Sequence, residues 1–223
     1  MTAKAKKRLP GELFLLIGLV FCATGLNLLI KANFGISANS SLPYVLSIAL
    51  PFFSNGIWNT VVQSLWLLIA MVAIQKIKLG YLFSFLLAFI FGLMLDSFAA
   101  LFITWSSAPI LRLLYFVAGF LISSLGVSAL MVSGMPLLPF ETVVRAFIEY
   151  KHLSVRLART GMDLTNLTAA LLIGLLLTGQ VIGIGLGTVL SALFMGSFVG
   201  YFTEVLSDRF IIKPKMSWVE KMI

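Results

Sequence analysis

The chain is short of charge. Of its 223 residues only 11% are Asp, Glu, Lys or Arg, where an ordinary soluble domain carries about 25%, and 60% are hydrophobic. Histidine and cysteine are almost missing. The one cysteine, Cys22, cannot form an internal disulfide, so no oxidised framework is implied. The one histidine, His152, lies in a charged run. A Ser-His-Asp or Cys-His enzyme would have to use it, and little is left for a zinc or haem site. The expectations are therefore no enzyme, no metal and no cofactor. A mean hydropathy of +1.07 excludes a disordered chain, a coiled coil and a secreted disulfide scaffold.

What is present is long apolar runs. A helix needs about 20 apolar residues to cross a core about 30 Å thick. Six runs qualify: Leu13–Ile30, Trp58–Ile74, Leu79–Ile103, Leu111–Val132, Leu164–Gln180 and Gly185–Leu206. The first continues too far past Lys4, Lys6, Lys7 and Arg8 for a cleaved signal peptide. The fold class expected is an all-α integral membrane protein in a single membrane domain. The net charge of +8 is absorbed by topology. The N-terminal tail, the loop at Lys76 and Lys78, the segment with Arg145, Lys151, Arg156 and Arg159, and the tail with Arg209, Lys213, Lys215 and Lys221 hold 14 of the 16 basic residues, all on alternate loops. Only Lys31 and Arg112 fall on the other side, at helix ends where they can snorkel. The positive-inside rule then places both termini in the cytoplasm and leaves no support for nucleic-acid binding.

Two segments are too short to span. FGISANSSLPYVLSIALPFFSN at 34–55 and GMPLLPFETVVRAFIEY at 134–150 each open on glycine and carry a proline, Pro43 or Pro139, beside a short helical run. Both read as re-entrant or interfacial helices. They fall at matching places in two halves. Gly25-Leu26 and Gly126-Val127 precede them, and an offset of 104 pairs Asn59 with Asp163, Ser84 with Thr188, Ala88 with Ala192 and Gly92 with Gly196. Each half then has three spans and one short helix. Three is odd, so the second half is expected to be inverted. The expected division is 1–110 for the first repeat, 111–210 for the second and 211–223 for a cytoplasmic tail. Inverted repeats meeting near the bilayer midplane are a transporter architecture.

The candidate solute-binding residues follow from this frame. Asp96 is an acid inside a run that must cross lipid, so it needs a partner, a cavity or the interface; proton coupling is one reading, a structural role near Lys31 or Arg112 another. Asn59 and Gln63, spaced i, i+4, and Asp163 and Asn166, spaced i, i+3, begin spans two and five as symmetry mates, although Asp163 is also placed to cap its helix. Asn39, Ser40 and Ser41 can cap the first short helix. Glu141 and Thr142 open the second, where Glu141, Arg145 and Glu149 form an i, i+4 ladder. Asn27 is placed for an interhelical hydrogen bond. Gly92 and Gly196 read as packing residues, and Trp58, Trp66 and Trp105 as lipid-facing or interfacial. Gly183-Ile-Gly-Leu-Gly-Thr188 lacks the βαβ setting of a dinucleotide fingerprint and reads as a tight turn opening a span.

Several of these stretches together resemble the bacterial YczE/YitT group of integral membrane proteins: FGISANSSLPYVL at 34–46, GMPLLPFETVVRAF at 134–147, RLARTGMD at 156–163 and GIGLGT at 183–188. Asn39 to Leu42 replace that group's small-Pro-Trp-Asp pattern, so no acidic ligand is carried over there. With no C-terminal domain of the YitT kind, the chain is expected to be YczE-like. The resemblance implies a bacterial plasma-membrane transporter or facilitator of a small polar organic solute, such as a vitamin or cofactor precursor. Two alternatives stay open: the solute-capturing subunit of a multi-component vitamin importer, docked through 145–159, and a non-transporting accessory protein. The partners expected are membrane lipid, a small solute, and either a second copy or a coupling subunit.

Overall fold

A computed structural model describes residues 7–75, 78–152 and 155–215. Lys4, Lys6, Lys76, Lys221 and the side chain of Arg156 lie outside the described residues. Eight helices follow in order: α1 Gly11–Ala32, α2 Ala38–Ala49, α3 Asn55–Ile74, α4 Leu79–Phe102, α5 Pro109–Val132, α6 Pro139–Lys151, α7 Val155–Thr178 and α8 Leu186–Arg209. All but α2 and α6 are long and apolar enough to cross a membrane, which agrees with the six runs. This is an all-α multi-pass membrane fold. One element has no counterpart in the apolar pattern. Lys7–Pro10 (β1) pairs in parallel with Phe210–Lys213 (β2), and the Lys215 N–H donates to Glu12. The two ends of the chain are thus tied together, as an even number of crossings allows.

The centre is the α1–α5 pair, and glycine sets its closeness. A Cβ on Gly25 would stand 2.2 Å from the Ser123 hydroxyl oxygen, and one on Gly126 2.9 Å from the Cys22 sulfur. Lipid tails are as apolar as the helices, so helix association in a membrane relies on such close packing and on interhelical hydrogen bonds. Asn27 supplies one bond, donating to the Leu95 carbonyl of α4 at 3.1 Å.

Around this pair the helix contacts mirror each other between the halves. α1 packs on α4 as α5 packs on α8, α2 on α7 as α6 on α3, and α2 on α3 as α6 on α7. The mirror fails at one place. α3 packs along α4, but α7 does not pack along α8. Gly92 does pack, its Cβ position lying 2.5 Å from the Gly56 carbonyl oxygen, whereas Gly196 faces open space. The packing expected of Gly196 is absent because α8 has no partner on that face.

The loops before α2 and α8 lock together. Ile36 N–H donates to the Gly183 carbonyl at 3.0 Å and Gly187 N–H to the Phe34 carbonyl at 2.7 Å. Gly35 has φ +109°, and a Cβ there would strike Thr188. The GIGLGT stretch is indeed a tight turn. Lys31 and Arg112 do more than snorkel. Arg112 donates to the carbonyls of Ala32 and Asn33 at 2.8 and 3.0 Å, closing the C-terminus of α1, and Lys31 donates to the Ile103 carbonyl at 3.2 Å beyond α4.

Candidate functional site

The short helices aim their first turns at one cavity. Ser37, Asn39 and Ser40 reach it from the start of α2, and Leu138, Phe140 and Glu141 from the start of α6. Asn59 and Gln63 of α3, Arg159 of α7, and Cys22 and Ser123 from the middles of α1 and α5 complete the polar lining. The empty space there, open solvent at its mouth included, is about 630 Å³.

The two helix starts differ. On α6 the first two positions leave no free N–H. Pro139 occupies the first helical position and has no N–H to satisfy. The Phe140 N–H faces Gln63 Oε1 at 3.4 Å, and Gln63 is itself fixed by donating to Asn59. Glu141, 5% exposed, accepts from Arg159 Nη1 at 3.0 Å. An ion pair this deep survives only because each charge neutralises the other; removing one partner typically costs about 3–5 kcal/mol. On α2 the cap is Ser37, yet its side chain makes no capping bond. The Ser37 and Ser40 hydroxyls donate instead to Asn39 Oδ1 at 3.0 and 2.9 Å. Among the described residues the N–H groups of Ala38 and Asn39 meet no acceptor.

Half of the expected site residues meet here: Asn39, Ser40, Asn59, Gln63 and Glu141. The others do not. Ser41 is buried and donates to the Ala38 carbonyl of its own helix at 2.6 Å. None of Asn39, Ser40 and Ser41 is the cap of α2, because the helix starts one residue before Asn39 and the cap position falls on Ser37. Thr142 faces α4, sharing a hydrogen bond with Ser84 at 3.1 Å beside a separate cleft rimmed by Lys78, Arg145 and Glu149. In that cleft burial disfavours the charged Lys78 ammonium, but bonds to Tyr150 and Glu149 outweigh this and raise its pKa above the usual lysine value. Asn166 is fully buried between Trp66, which donates to it at 3.0 Å, and the Met162 carbonyl. Trp66 is accordingly an internal partner and not a lipid-facing one. Asp163 sits two turns into α7, too far along to cap it, and lies outside the cavity lining.

Asp96 is also elsewhere. It accepts from the Gly56 N–H at 2.8 Å and from the Ser54 hydroxyl at 2.6 Å, which closes the N-terminus of α3. Those partners, and not Lys31 or Arg112, account for the acid within a membrane run. Proton coupling through Asp96 loses its structural motive.

Sequence reasoning misses Cys22, Ser37 and Ser123 of the lining, and above all Arg159. It counted as one of four basic residues on a cytoplasmic segment, but it is inside. Of the Glu141–Arg145–Glu149 ladder only the second step forms, with Arg145 on Glu149 at 3.5 Å, while Glu141 turns inward to Arg159. The available signal was the Arg159-x-x-x-Asp163 spacing at the start of an apolar run, which predicts a cation one turn inside the membrane.

The model of a family of unknown function, DUF6198, matches residues 9–204. The chain belongs to that family. No curated protein and no solved structure matches it. In this DUF6198 member every cavity residue lies within the matched span, from Cys22 in α1 to Met195 in α8.

Proposed function

We propose that the chain is a transporter or facilitator for a small polar organic solute, held between two inverted halves. The observation that carries this reading is the polar cavity reached by the starts of both short helices. Short helices that end inside the membrane and turn their N-termini on a common cavity are the means by which transporters build solute sites in lipid. Buried polar groups there are costly, and a soluble partner does not explain them. The resemblance to the YczE/YitT group, YczE branch, supports the same reading, and with it a vitamin or cofactor precursor as solute. The sequence has no phosphate-binding loop for ATP, so the energy source is a gradient or a partner.

Orientation belongs to this proposal. The paired ends of the chain and the basic excess on the same alternate loops support cytoplasmic termini in a bacterial plasma membrane. Taking buried Arg159 out of the count leaves that bias intact. The alternative of an importer subunit docked through 145–159 would have to do without Arg159, which is only 14% exposed and paired with Glu141.

The test is reconstitution. Purified protein in liposomes, given a panel of labelled polar solutes, should take up at least one, and Arg159→Gln should lose that uptake. No uptake by protein alone, together with uptake when an ATPase module is added, would transfer the reading to the importer subunit.

A further inference from the structure

We infer that the solute carries a carboxylate and that this group seats at the start of α2. The inference rests on the transport reading for its cavity and adds the chemical class of the occupant.

The argument is an inventory of what the lining leaves unspent. Within the lining Glu141 and Arg159 neutralise each other at 3.0 Å, and Asp163, one turn on from Arg159, stands outside the lining. The Phe140 N–H of α6 faces Gln63. The acceptors of the lining, the second Glu141 carboxylate oxygen among them, lie on the α6 side, and the start of α2 offers donors. The Ala38 and Asn39 N–H groups lack acceptors among the described residues. Asn39 Oδ1 already takes two hydroxyl hydrogens, so the amide NH₂ is the part left for a ligand. Ser123, from the opposite side, is only 8% exposed, lines the cavity and has no hydrogen-bond partner among the described residues. A helix start with free N–H groups and no acid in its first turn carries an uncompensated positive end. A donor left without an acceptor costs free energy, and an anion is the group that a helix start with free N–H groups receives best. At the start of α2 an ammonium group would instead place its donors against donors and the positive helix end.

A closed chemical series tests this. The purified protein is titrated with propionate, succinate and benzoate, then with the corresponding amides and amines of the same carbon skeletons, following the thermal midpoint and bound label. At least one carboxylate should bind, and its amide should bind about tenfold or more weakly, since charge-assisted hydrogen bonds are roughly twice as strong as neutral ones. Ser123→Ala should weaken the carboxylate by about three- to tenfold. Asn39→Asp is the decisive variant. It keeps both hydroxyl hydrogen bonds and adds an acid where the helix start favours one, so the unliganded thermal midpoint should not fall. Its carboxylate fills the charge requirement, so carboxylate affinity should drop by at least about tenfold. Equal binding of amide and carboxylate, tighter binding of an amine, no binding by any carboxylate, or unchanged affinity in Asn39→Asp would each overturn the assignment. Flux separates the two claims. Uptake of amines or amides without carboxylate binding sinks the carboxylate and leaves transport standing; carboxylate binding with the predicted Asn39→Asp loss but no flux in liposomes supports the carboxylate site and sinks transport.

Discussion

The outer helix pairs of the two halves, α3–α4 and α7–α8, share a sequence offset but not a fate. In the first, Gly56 and Gly92 bring the backbones together, Thr60 donates to the Ala88 carbonyl at 3.0 Å, and Asp96 ties down the start of α3. The same offset of 104 puts Thr160, Leu164 and Gly200 where the first pair has Gly56, Thr60 and Asp96. Leu164 has no hydrogen bond to give, and Gly200 no carboxylate. Without a hydrophobic force between helices in lipid, a glycine alone does not hold a pair together. Accordingly Gly196 and Gly200 face open space. α7 is held from its other sides, by α2 and α6, the two short helices that frame the cavity. The difference teaches that a repeat in sequence carries helix order, while pairing depends on a few polar and small residues.

The largest effect should come from the tie that holds α7 inward. Arg159→Gln or Glu141→Gln alone leaves a buried charge unpaired and should cost about 3–5 kcal/mol, read by thermal unfolding in detergent. The double variant should recover much of that loss, because two neutral amides leave no orphan charge. Additive losses in the double variant would show that the pair is not what anchors α7.

Next in size is the glycine contrast. Gly92→Val must push the Gly56 carbonyl and Thr60 away and should cost about 1–3 kcal/mol. Gly196→Val, its mate by the offset, should stay within about 0.5 kcal/mol of the parent. Equal losses would mean that α7 and α8 close on each other in the membrane.

Asp96→Ala should cost about 0.5–2 kcal/mol, the usual range for losing a helix cap, while uptake per folded molecule stays intact. Loss of pH-driven accumulation at full stability would restore the coupling role to Asp96.

These pairs also show what was legible. The spans were, because about 20 apolar residues in a row have few other uses. So were the two short helices and part of the cavity, since Asn39, Ser40, Asn59, Gln63 and Glu141 are polar groups in apolar surroundings. Residues whose roles depend on a distant partner were not. Asp96 reads as an intramembrane acid until Ser54 and the Gly56 N–H come beside it. Arg159 reads as a topology signal until Glu141 meets it from another helix. The β1–β2 pairing was hidden because four-residue strands in charged tails have no periodicity to detect.

The smallest effect tests the link between the halves at α3 and α7. Trp66 Nε1 donates to Asn166 Oδ1 at 3.0 Å across one hundred residues of chain, and Asn166 is fully buried. Trp66→Phe keeps an aromatic ring in place and removes the donor. The Asn166 amide stays satisfied, since its Nδ2 still donates to the Met162 carbonyl. Only one acceptor is orphaned. Hydrogen bonds between membrane helices average about 0.6 kcal/mol, and about 1.7 kcal/mol at most, because the unfolded chain in lipid also finds partners. Trp66→Phe should therefore lose about 0.6 kcal/mol, and Asn166→Leu, which strips both ends of the contact, should lose no more than about 1.7 kcal/mol if its shape is accommodated. A double-variant cycle reads the coupling directly. Coupling near zero would show that α3 and α7 touch without being tied, and α7 would then rest on α2, α6 and the Arg159–Glu141 pair alone.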